Sequence, residues 1–89
     1  MSRKPVSKDV FDFLDTLPPK QAQQISKRIL KLFNDPLPTD SIHLHGYKYY
    51  RRVDIGEYRI CYTYIDNILS VDLVGKRNDN EVYKKLDRK

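Results

Sequence analysis

The run Tyr58-Arg59-Ile60-Cys61-Tyr62-Thr63-Tyr64-Ile65 decides the predicted fold of this chain. It is rich in tyrosine and β-branched residues, which favour strands. Strand-like runs of similar composition lie on either side of it, at Tyr47 to Asp54 and at Ile68 to Gly75. Short breaks at Ile55-Gly56-Glu57 and at Asp66-Asn67 separate the three runs. Together they predict an antiparallel meander of hairpins.

Two helices are predicted before the strands. In the first, Ser7 can cap the helix, and Val10, Leu14 and Leu17 form one apolar stripe that Pro18-Pro19 must end. The second begins with Pro19 in its first turn and stops at Asn34-Asp35-Pro36. Its apolar residues recur at helical spacing, at Ala22, Ile25, Ile29 and Leu32 or Phe33. The two segments predict a helical hairpin.

Two further segments complete the predicted order of elements. Residues 34–40 contain two prolines and two aspartates and are interpreted as an exposed connector. After Gly75, Asn78 and Glu81 have the spacing of a capping box, and Val82 and Leu86 follow on one face of a short terminal helix. The sequence therefore predicts one α+β domain over residues 1–89, with a helical hairpin packed on a small antiparallel sheet.

Charge and cysteine content indicate the kind of partner and the cellular location to expect. The 17 Lys and Arg residues against 12 Asp and Glu give a net charge of +5 and suit a polyanionic or acidic partner. A single cysteine, Cys61, excludes an internal disulfide framework and favours a reducing cytoplasmic location. No apolar run approaches the ~20 residues of a membrane span, and no secretory signal is predicted.

Strand alternation predicts which side chains share a face of the sheet. Tyr58, Ile60, Tyr62 and Tyr64 form one set of the middle strand, and Arg59, Cys61 and Thr63 form the other. Val53 and Ile55 join the apolar face, together with Leu69, Val71 and Leu73. Tyr50, Arg52 and Asp54 fall on the opposite, uncovered face with Arg59.

Such a face can be a phosphate platform or an ordinary solvated surface. Guanidinium groups make bidentate contacts with phosphate, and tyrosine rings stack on unpaired bases. Alternation alone leaves both interpretations open. Arg77 lies beyond the last strand, where alternation no longer places it.

Two motifs carry a resemblance to a known family. Gly56-Glu57-Tyr58-Arg59-Ile60-Cys61-Tyr62 resembles the central strand of the RelE/ParE toxin superfamily, and Gly75-Lys76-Arg77 with Glu81-Val82-Tyr83 resembles the ending of RelE-type toxins. Leu17-Pro18 and Leu44-His45-Gly46 also match the family in place. The resemblance covers nearly the whole chain.

The resemblance implies the toxin of a type II toxin–antitoxin system. RelE-like toxins cut mRNA in the ribosomal A site by attack of a ribose 2′-hydroxyl on the adjacent phosphate, without a metal or another cofactor. The implied partners are a cognate antitoxin, forming a hetero-oligomer with the toxin, and the ribosome with its mRNA. No membrane is implied.

The resemblance implies catalytic roles for four residues. Arg59 would stabilise charge on the phosphate, Arg77 would assist the phosphate or leaving group, and Tyr83 would stack on or orient the scissile nucleotide. Arg52 corresponds to a basic residue seven positions before Arg59. RelE has lysines in that strand, and an arginine stays protonated and is a poor general base. Lys48 and Lys76 are therefore alternative candidates for the base.

Other side chains are assigned to RNA binding or to no role. The RNA-binding set is Lys48, Tyr50, Arg51, Lys76 and His45. His43 and His45 have the spacing of a metal pair, but no third ligand lies at a suitable spacing, so no metal site is predicted. Cys61 is interpreted as a semi-buried thiol.

Two other functions share the predicted fold. One is a ParE-type toxin, which inhibits DNA gyrase and lacks the RNA-cleaving residues. The other is a degenerate member that binds only an antitoxin or RNA. Arg59, Arg77 and Tyr83 together favour the nuclease.

Overall fold

A computed structural model describes residues 5–78 and 81–87 of the chain. Two helices precede a sheet, and a third helix follows it. In chain order the elements are α1 (Lys8–Asp15), α2 (Pro19–Asn34), β1 (Ile42–His43), β2 (Tyr50–Ile55), β3 (Tyr58–Ile65), β4 (Ile68–Lys76) and α3 (Glu81–Asp87). The strands pair antiparallel in the order β1-β2-β3-β4. The predicted α+β class is confirmed.

The helical hairpin packs on one face of the sheet and forms the main core with it. Pro19 begins α2, as predicted, because a proline at the first helical position loses no intrahelical hydrogen bond. Leu32 is buried and Phe33 is 43% exposed, which decides between the two candidates for the last apolar position. The buried residues of this core are Val10, Ile25, Ile29, Leu32, Val53, Ile60, Tyr62, Leu69, Val71 and Val74.

Ser7 stands at the start of α1 but does not cap it as predicted. Its side chain makes no capping hydrogen bond, because the hydroxyl donates to the carbonyl oxygen of Asp72 at 2.6 Å. The backbone of this segment also pairs with β4: the Ser7 N–H donates to Val71 O, and the Val71 N–H donates to Pro5 O. Val6 thus forms a parallel bridge with Val71. The residues before α1 close part of the outer edge of β4.

The sheet differs from the prediction at its other edge. β1 was not predicted, and it pairs Ile42 with Arg52 and His43 with Arg51. The predicted start of the next strand at Tyr47 is wrong, since residues 45–49 form turns and β2 begins at Tyr50. A two-residue strand has too few residues to show alternation, so the sequence pattern could not reveal it.

A β-bulge at Asp72 changes the predicted faces of β4. Cys61 pairs with Leu73, but the next residue of β3, Tyr62, pairs with Val71. Asp72 is therefore an extra residue, and an extra residue reverses the alternation beyond it. The prediction that Leu73 shares a face with Leu69 and Val71 is wrong for this reason. Leu73 instead joins Cys61 on the second face of the sheet.

The second face is partly covered, contrary to the prediction of an uncovered basic face. Val82 and Leu86 of α3 pack there against Leu44, Cys61 and Leu73, and Tyr47, Tyr50 and Tyr83 flank this smaller core. Cys61 is fully buried rather than semi-buried. Burial raises the pKa of its thiol to about 12.

Gly75 allows α3 to approach β4 closely. A Cβ atom at Gly75 would lie 2.8 Å from the Cβ of Glu81 and 3.2 Å from Cγ1 of Val82, distances that require the helix to shift. The Glu81 carboxylate also accepts a hydrogen bond from the Lys76 N–H at 3.2 Å. The predicted capping box stays a prediction, because Asp79 and Asn80 lie outside the described residues. None of α1, α2 and α3 is long and apolar enough to span a membrane.

We expect Cys61 to be unreactive in the native protein. A pKa of about 12 leaves very little thiolate at neutral pH, and the thiolate is the nucleophile. A thiol reagent added at about pH 8 should label the native chain slowly and the chain in concentrated guanidinium quickly. Rapid native labelling would contradict the described packing of α3 over this residue.

We expect Gly75→Ala to displace α3. Overpacking of this kind costs about 1–3 kcal/mol, and the added methyl group meets the first turn of the helix. Urea unfolding measures the loss of stability, and Tyr83 ring signals in NMR report the displacement. Ser26→Ala is the control, because its hydroxyl bonds only within α2, to Ala22 O. Gly75→Ala with unchanged stability and unchanged Tyr83 signals would show that the approach is not tight.

Candidate active site

An ion-pair cluster lies on the second face of the sheet, beside α3. Arg52 and Asp54 belong to β2, and Arg59 pairs with Asp54 across the β2–β3 ladder. Because residues directly opposite one another in a ladder share a face, the three side chains project to the same side. Arg52 and Arg59 therefore share one face, as strand alternation predicted.

Asp54 is the centre of this cluster. Its Oδ1 accepts a hydrogen bond from Nε of Arg59 at 2.9 Å. Its Oδ2 lies 3.3 Å from Nη1 of Arg52 and 3.3 Å from Nε of Arg77. Three guanidinium groups thus surround one carboxylate, which leaves an excess of positive charge for an anionic ligand.

Arg77 reaches the cluster from beyond the end of β4. Its backbone N–H donates to Glu57 O at 2.9 Å, and its Nη1 donates to Gly56 O at 3.1 Å. Both acceptors lie in the turn between β2 and β3, where Gly56 has a φ of +56° that favours glycine. The turn therefore holds the backbone and the guanidinium of Arg77 beside Arg59.

Tyr83 is brought to the cluster by α3. Nη1 of Arg59 donates to its hydroxyl at 3.4 Å, a long hydrogen bond. Cζ of Arg59 lies 5.9 Å from the centre of the ring, within cation–π range. Tyr83 also packs against Tyr47, whose hydroxyl donates to Asp87 at the end of α3. The ring of Tyr83 therefore contacts both Arg59 and Tyr47.

An open cavity of about 310 Å³ adjoins the cluster. It is lined by Gly56, Glu57, Arg59, Arg77 and Asn78. Arg59 is mostly buried, with 12% of its side chain exposed, while 48% of the Arg77 side chain is exposed. One arginine is thus fixed in the wall and the other stands at the rim.

The charges of the cluster shift the ionisation of its members. Partial burial of Asp54 acts to raise its pKa, but the hydrogen bond and charge of Arg59 and the charges of Arg77 and Arg52 outweigh this, and the pKa is lowered. The hydrogen bond with Asp54 raises the pKa of Arg59, against the effect of burial. Asp54 is therefore an anion and Arg59 a cation at neutral pH.

The structure brings together four of the residues predicted from the sequence, namely Arg52, Arg59, Arg77 and Tyr83. Tyr50 lies on the same face of the sheet, but its hydroxyl donates to Asp72 Oδ2 at 2.6 Å. The four residues predicted to be catalytic lie in one cluster, and Tyr50 lies beside it against the smaller core.

The other predicted RNA-binding residues lie apart from the cluster. Arg51 faces the other side of the sheet, and its Nη2 donates to Ser41 Oγ at 2.9 Å. Lys76 pairs with Tyr58, which contacts the main core, and so projects away from Arg59. Lys48 contacts the Tyr49 ring, and His45 is exposed in the turn at Gly46.

The histidine pair makes no metal site in the part of the chain that is described. Nε2 of His43 lies 2.7 Å from the Lys48 carbonyl oxygen. Within residues 5–78 and 81–87, no group of three or more His, Cys, Asp or Glu side chains is arranged to hold a metal ion.

Sequence reasoning missed Asp54 as a site residue. Alternation placed it on the same face as Arg52 and Arg59, but the toxin motifs assign no role to this position. The available signal was its place two residues after Arg52 on a strand face that also carries Arg59, because such a carboxylate lies within reach of both guanidinium groups.

Solved toxin structures share this fold. The chain superposes with the RelE–RelB antitoxin–toxin complex of Methanococcus jannaschii at a TM-score of 0.72 and 21% identity, covering 90% of this chain and 98% of that chain. For the RelE–RelB complex of Pyrococcus horikoshii OT3, the TM-score is 0.67 at 24% identity, over 81% and 90% of the two chains. Free E. coli RelE, solved as a double mutant, gives 0.70 at 21% identity, over 93% and 92%. The fold is therefore that of RelE toxins.

A family model assigns the chain more narrowly. Residues 3–81 match the model described as the ParE toxin of the type II toxin–antitoxin system parDE. The chain belongs to this family of toxins within the RelE/ParE superfamily. No curated protein matches its sequence.

We expect the ion pairs of Asp54 to make stability depend on pH. Its pKa in the folded protein is below the ordinary value of 3.8, so its contribution is complete above that value and is lost as the pH falls through the folded pKa. Wild type should exceed Asp54→Asn in free energy of unfolding at about pH 6, and this difference should shrink at about pH 3. Urea unfolding of both proteins measures it. A difference that is constant with pH would mean that the carboxylate charge is not stabilising.

Proposed function

We propose that the protein is a metal-independent endoribonuclease that cleaves mRNA on the ribosome by 2′-hydroxyl attack and thereby inhibits translation. The observation that carries this proposal is that Arg59 and Arg77 line one open cavity while Arg59 also contacts Tyr83. Cleavage of an RNA phosphodiester develops negative charge on the phosphate, and fixed cations stabilise that charge. The arrangement supplies two such cations and an aromatic ring.

Each side chain has a role that matches its surroundings. Arg59 is mostly buried and held by Asp54, so it offers a preorganised cation to the scissile phosphate. Arg77 lies at the rim of the cavity, where it can bind the phosphate or the leaving oxygen. Tyr83 is half-buried against Arg59 and Tyr47, and from there it can orient the scissile nucleotide or stack on it. Arg52 adds positive charge behind Asp54.

Lys48 and Lys76 are the two candidates for the general base. Lys76 lies on the sheet face opposite Arg59, whereas Lys48 lies in the turn that precedes β2. Arg52 is bound to Asp54 and stays protonated. Both lysines lie apart from the Asp54 cluster, so either would have to reach the 2′-hydroxyl from outside it.

We also propose an antitoxin as the partner of the free toxin and the cytoplasm as its location. Two of the similar solved structures are complexes of a RelE toxin with RelB, and a further one is E. coli RelE with an antitoxin peptide. The net charge of +5 suits an acidic segment of such a partner. The cytoplasm also holds the translating ribosomes that the proposed activity requires.

A second candidate function is inhibition of DNA gyrase. It is favoured by the family model, which is that of ParE toxins. ParE-type toxins lack the RNA-cleaving residues, whereas this chain has Arg59, Arg77 and Tyr83 in one cluster. A supercoiling assay with purified gyrase, run beside the ribosome assay, separates the two functions.

We expect Arg77→Ala to lose about 2–4 kcal/mol of transition-state stabilisation, which is roughly 30- to 1,000-fold in cleavage rate. The measurement is cleavage of mRNA on programmed ribosomes, with circular dichroism to check folding. Arg77 is half exposed, so its loss should leave the fold intact. Arg59→Lys tests the second cation, because a truncation there would leave Asp54 with fewer partners in a mostly buried place.

Lys20→Ala is the matched control, since it removes one positive charge from the exposed start of α2. It should cleave as fast as wild type. Full cleavage by a folded Arg59→Lys, Arg77→Ala double variant would locate the site elsewhere. A wild-type protein that inhibits gyrase and leaves mRNA intact would favour the second function.

A further inference from the structure

We propose that Asp54 is a positioning residue, which binds the Nε edges of Arg59 and Arg77 and leaves their outer edges for a phosphodiester of RNA. This inference rests on the proposed function and deepens it. Neither the toxin motifs nor the family assigns a role to this carboxylate. The register of β2 and β3 places it beside Arg59.

Asp54 contacts the Nε atoms of both arginines, by a hydrogen bond to Arg59 and by an ion pair with Arg77. Asp54 Oδ1 accepts from Nε of Arg59, and Asp54 Oδ2 lies 3.3 Å from Nε of Arg77. A guanidinium can bind an oxyanion by its Nε side or by its terminal Nη pair. Asp54 occupies the Nε side of both residues. A phosphate must therefore be met by the terminal nitrogens.

Nη2 of each arginine is available for that contact. Nη1 of Arg59 makes only a 3.4 Å hydrogen bond to Tyr83, and Nη1 of Arg77 binds Gly56 O. Among residues 5–78 and 81–87, no atom accepts a hydrogen bond from Nη2 of either arginine. Both residues line the cavity beside Gly56. The occupied edges thus face Asp54, and free donors remain for a ligand in the cavity.

Electrostatics gives the reason why a nuclease site should contain a carboxylate. Arg52, Arg59 and Arg77 are all within 3.4 Å of Asp54, and three such charges would repel one another if no anion lay between them. Arg59 is also mostly buried, which is costly for an unpaired charge. The carboxylate of Asp54 offsets both the repulsion among the arginines and the cost of burying Arg59. The cluster still has more positive than negative charge. Asp54 therefore holds the arginines in place before RNA arrives.

The opposite role for Asp54 is also testable. An internal carboxylate can compete with phosphate for the arginines, and its removal would then speed cleavage. It can also accept the proton of the 2′-hydroxyl directly, although the surrounding arginines lower its basicity. The three roles differ in the direction of the rate change and in its pH dependence.

The experiment compares wild type with Asp54→Asn and Asp54→Glu in ribosome-dependent mRNA cleavage. If Asp54 positions the arginines, kcat of Asp54→Asn should fall by about 100-fold, as for a misplaced catalytic group. Binding of an mRNA with 2′-deoxyribose at the cleavage position should become no weaker, because the variant gains net positive charge. Asp54→Glu keeps the carboxylate and should recover part of kcat. Asp40→Asn is the matched control, since it breaks the distant Arg28–Asp40 pair with the same charge change.

NMR of the arginine side chains gives a second readout that does not need activity. The Nε–H signals of Arg59 and Arg77 should exchange slowly with solvent in wild type and quickly in Asp54→Asn. Arg59→Lys and Arg77→Lys assign the two signals.

Unchanged or faster cleavage by folded Asp54→Asn would overturn the proposal. Unchanged Nε–H exchange in Asp54→Asn would also overturn it. A loss of rate confined to one limb of the pH profile would do the same, because it indicates proton transfer by Asp54 itself. If wild type cleaves no mRNA, the proposed function fails, and the Nε–H signals still decide whether Asp54 holds the two arginines.

Discussion

Strand β3 has buried side chains on both of its faces, and the arrangement of the other elements follows from this constraint. Ile60 and Tyr62 pack into the main core under the helical hairpin, and Cys61 between them points into the smaller core under α3. The second face therefore needs a covering layer of its own. One short helix supplies it, and the missing side chain at Gly75 lets that helix lie close enough. The same helix carries Tyr83 to Arg59, so packing and site geometry have a common origin.

The site concentrates positive charge at a cost that the fold must offset. Three arginines beside a small core would oppose folding through mutual repulsion and burial. Asp54 reduces this cost without neutralising the cluster, and its place in the β2–β3 ladder requires no additional loop or element. Stability and affinity for anions therefore make opposite demands on one residue. A carboxylate with partial exposure, at 28%, meets both.

The sequence predicted most of the fold because its strongest patterns are local. The alternation of Tyr58 to Ile65 and the prolines that bound α2 identify elements without knowledge of their neighbours. Leu73 was misplaced because a bulge is a relation between two strands, and Asp72 looks like any other polar residue in a strand. Similarly, Ser7 has the residue type of a cap but binds the backbone of β4, which lies 65 positions away in sequence. The candidate site was predicted as three arginines and a tyrosine on or near one face, and only the register showed the anion among them.

The segment before α1 forms backbone hydrogen bonds with β4. These bonds also affect the tendency of copies of this protein to aggregate. Exposed strand edges template pairing with other chains and lead to aggregation. Here Pro5 and Ser7 form hydrogen bonds with the backbone of Val71 at the outer edge of β4. The opposite edge of the sheet consists of the two-residue strand β1. In the described part of the chain, neither edge offers a long, flat row of free donors and acceptors. A protein that exposes a basic, partly open sheet face can thus accumulate without its sheets joining edge to edge.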